Sequence, residues 1–306
     1  MAGRILRFEE LSAPSIAGLN KDKTAVFIPI SPIEGHGSHL PLGVDYFDAL
    51  YFAERAAEIT VKKRPDFDAL IYPGIPLGTQ LYRQPGSVRV KSGLFYDLVV
   101  DIGKSLSFWG FRYIFLLSGH GSPKDIVALE SSCRRTSKKK RIRMHNLSGA
   151  LAIRFLRGEF VERISERLER PLTDQEKALL KKDIHGGWWE TSMMLYLKPD
   201  LVNEDYKSLP DNEKSENPDG AKPGYFGSPS KASPRFAEIS MEVLIDEVGS
   251  VIDDCLAGHD ITPVTTSPLY KIYILRPKFK KYTIIAILAL IAALTIILRI
   301  YEIFIR

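Results

Sequence analysis

Residues Thr24-Ala-Val-Phe-Ile-Pro-Ile-Ser31 read as a buried strand, and the chain leaves it straight into Glu34-Gly-His36-Gly-Ser-His39-Leu-Pro-Leu-Gly-Val-Asp45. An apolar run of this length bounded by Pro and Gly fits a strand buried within a sheet. Beyond it, Phe47, Leu50, Tyr51, Ala53 and Ala56 recur at helical spacing and predict a helix over 44–59. The same grammar then repeats. A strand is expected over 68–72, stopped by Pro73-Gly74-Ile75-Pro76, followed by a helix over 92–109. A third strand, 113–117, ends directly at Ser118-Gly-His120-Gly121. The second half predicts a strand at 141–146 and helices at 149–157, 174–182, 190–197 and 241–257. The helix at 190–197 follows His185-Gly-Gly-Trp-Trp-Glu190-Thr-Ser192.

Strands that alternate with helices predict an α/β fold around a mostly parallel sheet. Ligands of such sheets collect beyond the carboxyl ends of the strands. Two of the three glycine-flanked segments just quoted stand there, which argues for one shared site. The segments hold four of the chain's six histidines together with three carboxylates, Glu34, Asp45 and Glu190. Imidazole and carboxylate in that concentration suit bound divalent metals. Taken singly, each segment also fits a bland reading: a solvated loop, a turn with a capping histidine, or a chance His-x-x-x-x-Glu spacing.

The chain of 306 residues is long enough for one full core, and 45% hydrophobic and 26% charged residues are ordinary for a globular protein. The formal charge of +5 belongs to the C-terminal tail. Seven basic residues and one acid lie between Lys271 and Arg306, leaving the first 270 residues close to neutral. A nucleic-acid partner is therefore not expected. The basic stretch Arg134 to Arg143 reads as a solvated loop or a surface for anionic headgroups. Cys133 and Cys255 are far apart and outside the motifs, as reduced thiols would be. Residues 1–10 contain no apolar core of a secretory signal.

From Tyr282 to Leu298 the sequence carries no charge and no polar stripe. It predicts a transmembrane helix, extended over 282–305 if Arg299 and Glu302 snorkel or pair. More basic residues precede the span than follow it, which predicts a single-pass C-terminal membrane anchor with the catalytic domain in the cytoplasm. The expected division is a main domain over 1–260, a basic juxtamembrane linker over 261–281, and the span. Residues 203–224 are polar and rich in turn formers, and are expected to form a mobile loop.

On these residues the chain resembles the creatininase family of metal-dependent amidohydrolases. That family's pattern runs Glu-x-His-Gly-x-His-Leu-Pro-x-x-Thr/Val-Asp, then Asn-Gly-His-Gly-Gly-Asn, then His-Ala/Gly-Gly-x-x-Glu-Thr-Ser. Pro85-Gly86-Ser87, Pro199-Asp-Leu-Val202 and the glycine loop from Gly224 to Ala232 match further parts of it. The resemblance covers roughly 5–257 and implies a three-layer α/β domain holding two divalent ions, zinc, manganese or iron, with an activated water between them. It implies that Glu34, Asp45 and His120 bind one ion, and that His36, Asp45 and a second glutamate bind the other. Asp45 would bridge the two ions, and His185 would move a proton to the departing nitrogen. Creatininases proper carry their second glutamate where this chain has Ser122, so Glu190 is the candidate fifth ligand. His39 would support the site rather than bind metal. Trp188 and Trp189 could wall a substrate pocket or pack the following helix.

Ser118, Pro123 and Ile184 also depart from the creatininase pattern, which argues against creatinine as the substrate. The resemblance implies hydrolysis of another C–N bond, in a cyclic amide, a formamide or a small peptide, by a homo-oligomer. The alternative is a catalytically weakened relative that serves as a scaffold or maturation partner at the membrane.

Overall fold

The computed structural model describes residues 3–138, 141–212 and 224–305. Five strands, β1 (Ile5–Arg7), β2 (Thr24–Pro29), β3 (Asp68–Ile71), β4 (Tyr113–Leu117) and β5 (Arg143–Asn146), form one sheet in the order β1-β3-β2-β4-β5. Every pairing is parallel, with Ala25 opposite Tyr113 and Ile28 opposite Leu116 at the centre. The expected parallel α/β sheet is therefore present.

Central β2 is buried along its whole length because both of its faces are covered. Ala25 and Phe27 join a core with Phe115, Ile71, Phe52 and the long C-terminal helix of the main fold. Val26 and Ile28, one residue out of phase, join a second core with Leu70, Ile114, Leu116, Phe95 and Leu129. Side chains that alternate along a strand thus feed two separate cores, and the result is helix, sheet, helix.

The helices are α1 (Ala13–Gly18), α2 (Val44–Lys63), α3 (Ser92–Phe108), α4 (Pro123–Thr136), α5 (Ser148–Leu156), α6 (Val161–Arg167), α7 (Asp174–Leu180), α8 (Trp188–Leu197), α9 (Pro234–Leu256), α10 (Thr262–Thr265) and α11 (Phe279–Ile305). Helices α2, α8 and α9 cover one face, while α3 and α4 cover the other.

Periodicity located the long elements to within a few residues and missed those whose signal is chemical. Helix α4 begins at Ser122, whose hydroxyl accepts the Asp125 N–H, with Pro123 in the first turn. Arg134 and Arg135 form its last turn, and Arg143 opens β5 and donates to the carbonyls of Cys255, Gly258 and His259. Much of the basic stretch is therefore built into the fold. Helix α9 starts seven residues earlier than the apolar spacing suggests, because Ser233 caps it and Pro234 follows. Strand β1 is too short to show a pattern. Of the expected loop over 203–224, residues 213–223 lie outside the described residues, and Glu204–Ser208 form a 3-10 turn with Tyr206 buried.

The predicted membrane anchor is overturned. Among the described residues no helix is long and apolar enough to cross a membrane. The side chains at 280–282, 286 and 298–306 lie outside the described residues. The transmembrane helix, the tether and the single-pass placement with a cytoplasmic domain fall with it. The stretch expected to be a juxtamembrane linker instead packs against α4: the Ser267 N–H donates to Glu130, and the Arg134 guanidinium lies over the Tyr270 ring at 4.4 Å.

Candidate metal centre

The loop leaving β2 and the first turn of α2 deliver Glu34, His36 and Asp45, all buried. The loop leaving β4 delivers His120, and the first turn of α8 delivers Glu190. Two close backbone approaches make this convergence possible. Gly186 has a positive φ of 58°, and a Cβ there would lie 2.9 Å from the His36 carbonyl oxygen, so the third segment can press on the first only as glycine. Gly119 is squeezed against α2 in the same way.

Asp45 stands in the middle. Its Oδ1 is 3.3 Å from His36 Nε2, and its Oδ2 is 3.0 Å from His120 Nδ1. Glu34 Oε2 lies 3.3 Å from His120 Nδ1, and Glu190 Oε2 lies 3.6 Å from His36 Nε2. Among the described residues three sets of three donors result: Glu34 with Asp45 and His120, His36 with Asp45 and Glu190, and Glu34 with His36 and His185. Within each set the donor atoms lie no more than 4.8 Å apart.

The imidazoles are oriented to offer lone pairs. His36 Nδ1 is 3.0 Å from the Glu34 carbonyl oxygen and His120 Nε2 is 2.9 Å from that of Gln80. Each carbonyl takes the ring's N–H, which turns the other nitrogen toward the carboxylates. Glu34 Oε2, His36 Nε2 and both oxygens of Asp45 are buried without a hydrogen-bond partner. Orphaned atoms of this kind are costly unless a cation satisfies them. The donor set therefore fits divalent metal.

The electrostatics agree. Burial opposes charge on His36, yet Asp45 and Glu190 outweigh it and hold the ring at about 10. Burial likewise opposes the Asp45 carboxylate, but the two histidines pull it well below the usual range. Burial pushes Glu34 and Glu190 up to about 7. Protons and metal ions compete for this place, and the carboxylates call for positive charge. Asp48, one turn along α2, is buried with both carboxyl oxygens unpartnered. Burial, then Glu190 and Asp45, hold it well above the usual carboxylate range.

His185 stacks on His36 with ring centroids 4.1 Å apart, and its Nε2 is 2.8 Å from the Gly35 carbonyl oxygen. Burial and the neighbouring His36 push it well below the ordinary imidazole value, so it is neutral at pH 7. It also lies within donor distance of Glu34 and His36. His39 Nε2 is 3.0 Å from both the Gly186 carbonyl oxygen and Thr191 Oγ1, tying the first segment to the third away from the donor sets. The tryptophans part company. Trp189 lines the cavity over the site and donates to Ser240 Oγ at 3.1 Å, whereas Trp188 is buried against Phe236 at 5.0 Å and does not reach it.

Several contributors escaped the sequence reading. The strap 79–82 runs over the site: the Tyr82 N–H donates to Glu34 Oε1 and the Tyr82 ring packs on His185 at 4.3 Å. Asp125 holds the strap by accepting the N–H groups of Thr79 at 2.6 Å and Gln80 at 2.9 Å, together with the Ser122 hydroxyl. The Ser122-Pro-Lys-Asp125 spacing is a helix-start signal that would have revealed it. Asp183 accepts the N–H groups of Trp188, Trp189 and Ser228 and so caps α8. The cavity above these residues encloses about 570 Å³.

The creatininase family model, described as creatinine amidohydrolase, matches residues 9–252. Creatinine amidohydrolase of Pseudomonas putida is 25% identical over 270 residues, covering 81% of this chain and 94% of its own. A mycofactocin precursor peptide peptidase of Mycolicibacterium smegmatis is 29% identical over 182 residues, 59% and 60% of the two chains. Among solved structures, a manganese form of creatininase aligns with a TM-score of 0.63 at 21% identity, covering 83% of this chain and 99% of that one. At that identity the likeness shows the fold alone. With the family model spanning most of its length, the chain belongs to the creatininase family and is a metal-dependent hydrolase that acts on carbon–nitrogen bonds.

Proposed function

We propose that this protein hydrolyses an amide-type bond, in a cyclic amide, a formamide or a short peptide, with two divalent ions at one centre. Glu34, Asp45 and His120 would hold one ion, and His36, Asp45 and Glu190 the other. The observation that carries this reading is the division of Asp45. Its two orphaned oxygens face different histidines, as a carboxylate spanning two cations requires. Bound there, the ions supply Lewis-acid polarisation of a carbonyl and a lowered pKa for water.

The chain's own residues do the rest. Gly35 and Gln80 carbonyls fix the rings of His185 and His120. Neutral His185, with Nε2–H engaged, leaves Nδ1 to accept a proton and pass it to the departing nitrogen. Trp189 and the strap 79–82 flank the cavity in which the substrate sits. Creatinine amidohydrolase and the peptidase among the relatives bracket the substrate size, and zinc and manganese are the metals named for solved creatininases.

The test is elemental analysis of the purified protein and of two variants, with a screen of cyclic amides, formamides and short peptides. Two ions per chain are expected, with Asp45→Ala losing both and Glu34→Ala mainly one. Two ions retained in Asp45→Ala would remove the bridging role.

A further inference from the structure

The His185 ring is held from several sides at once. His36 lies against it with centroids 4.1 Å apart and planes 29° apart, and Tyr82 lies against it at 4.3 Å and 42°. Two rings this close to one imidazole cannot share a face, because they would overlap each other. Tyr82 and His36 therefore cover opposite faces. One edge is tied as well, since Nε2 stands 2.8 Å from the Gly35 carbonyl oxygen. The main chain is fixed by Phe226: the His185 N–H donates to its carbonyl at 3.0 Å, and the Phe226 N–H donates back at 2.6 Å. The other ring nitrogen, Nδ1, makes no hydrogen bond among the described residues, and His185 lines the cavity.

Tyr82 is itself pinned. Its N–H donates to Glu34, and Asp125 holds the strap two and three residues before it. Its ring packs on Phe226 at 5.2 Å as well as on His185. The Tyr82 hydroxyl makes no hydrogen bond among the described residues, so the side chain's contacts with its neighbours are those of the ring. The bond to Glu34 comes from the main chain and survives any change of side chain. The two roles can therefore be separated by mutation.

We propose that Tyr82 is a positioning residue: its ring clamps His185 from the face opposite His36 and keeps Nδ1 directed at the departing nitrogen. Water adds across the amide: the C–N bond breaks, a C–O bond forms, and His185 carries the proton from water to nitrogen. A proton carrier serves this step only in a narrow range of positions, and a displacement of about 1 Å costs roughly 10²-fold. This inference rests on the amide-hydrolase reading above and adds the residue that aims the proton carrier.

The test uses Tyr82→Phe, Tyr82→Leu and Tyr82→Ala in the zinc- or manganese-loaded protein. Dihydrouracil, formanilide and glycylphenylalanine serve as probes, one from each substrate class named above. Tyr82→Leu and Tyr82→Ala should lower kcat by roughly 10²-fold with KM little changed. Tyr82→Phe keeps the ring and should retain most of kcat. Metal content should match the parent in all three, because Glu34 keeps its main-chain donor. Diethyl pyrocarbonate gives a readout that needs no substrate, since it acylates an imidazole it can reach. Its reaction at His185, followed by mass spectrometry, should be about tenfold faster in Tyr82→Leu and unchanged in Tyr82→Phe, the size expected from losing one ring contact. Should Tyr82→Ala fail to fold, Tyr82→Leu decides. Parent-like kcat in Tyr82→Leu overturns the proposal. So does a Tyr82→Phe variant as slow as Tyr82→Leu, which would make the hydroxyl the working group, and so does loss of metal from Tyr82→Leu. If no probe is cleaved, the amide-hydrolase reading fails for these classes, and the acylation rates alone decide whether Tyr82 clamps the ring.

Discussion

Gly119 and Asp45 touch through their backbones: a Cβ at Gly119 would lie 2.5 Å from the Asp45 carbonyl oxygen. The same Cβ would meet Asp48 Cβ at 2.7 Å. This contact sets the distance between the end of β4, which carries His120, and the first turn of α2, which carries Asp45. Neither partner is the tip of a flexible side chain, so an added methyl must push two elements apart. Gly119→Ala is expected to destabilise the fold by about 1–3 kcal/mol, as overpacking does. It should also reduce metal content, because His120 and Asp45 separate. Thermal unfolding with elemental analysis checks both, and unchanged occupancy would show that the contact does not set the site's spacing.

His185 offers a kinetic prediction with a defined sign. Burial and His36 hold the ring neutral well below the ordinary imidazole range, so protonation removes the acceptor only in acid. Activity should therefore fall on the acid side, below the pH expected of a free histidine. His185→Ala should lower turnover by roughly 10²–10⁴ while keeping its metal, and should lack that acid limb. Since His185 also lies within donor distance of Glu34 and His36, loss of metal in the variant would make it a ligand instead.

Glu130 lies on α4, away from the donor sets, where its Oε1 accepts the Ser267 N–H at 2.8 Å and its Oε2 has no partner. Burial pushes it up to about 7. The folded state thus favours the neutral acid. Its contribution is fully present below the unfolded value near 4.5 and is lost as pH rises through 7. The swing is about 3 kcal/mol at 1.36 kcal/mol per pKa unit. Glu130→Gln keeps the acceptor and removes the charge. Its melting temperature relative to the parent should therefore rise between pH 5 and pH 8. Parallel curves over that interval would mean that Glu130 ionises without penalty.

The sheet and its long helices were legible because burial imposes a period. Val26 and Ile28 against Ala25 and Phe27, and the helical spacing over α2, follow from which faces are covered. The histidines and carboxylates were legible because few other uses gather such groups beside glycine. What escaped depends on contacts distant in sequence. Tyr82 reaches Glu34 across 48 residues, and Asp125 reaches Thr79 across 46. No local pattern records either pairing. The apolar run in the tail misled because hydrophobicity reports what a segment avoids, not where it ends up. Among the described residues no helix is both long and apolar enough to cross a membrane.

Asp125 is the residue through which these distant contacts can be tested. It touches no candidate donor at hydrogen-bond distance, its nearest approach being 3.6 Å from Oδ2 to His120 Nε2. Yet its oxygens hold the N–H groups of Thr79 and Gln80, and Gln80 in turn presents the carbonyl that orients His120. Two positions on, Tyr82 donates to Glu34. Removing Asp125 leaves two backbone donors without their acceptor and frees the strap that orients two of the proposed ligands. Partners of this kind are worth 10–100-fold in metal affinity. Asp125→Ala should weaken metal binding by about that factor, with a near-normal ratio of turnover to bound metal once saturated. Asp125→Asn keeps one acceptor oxygen and should recover part of the affinity. Chelator competition measures the first quantity, and turnover at saturating zinc or manganese measures the second. A variant that binds metal like the parent but turns over slowly would move Asp125 from positioning to chemistry. One that binds and reacts like the parent would show that Thr79 and Gln80 hold the strap without it.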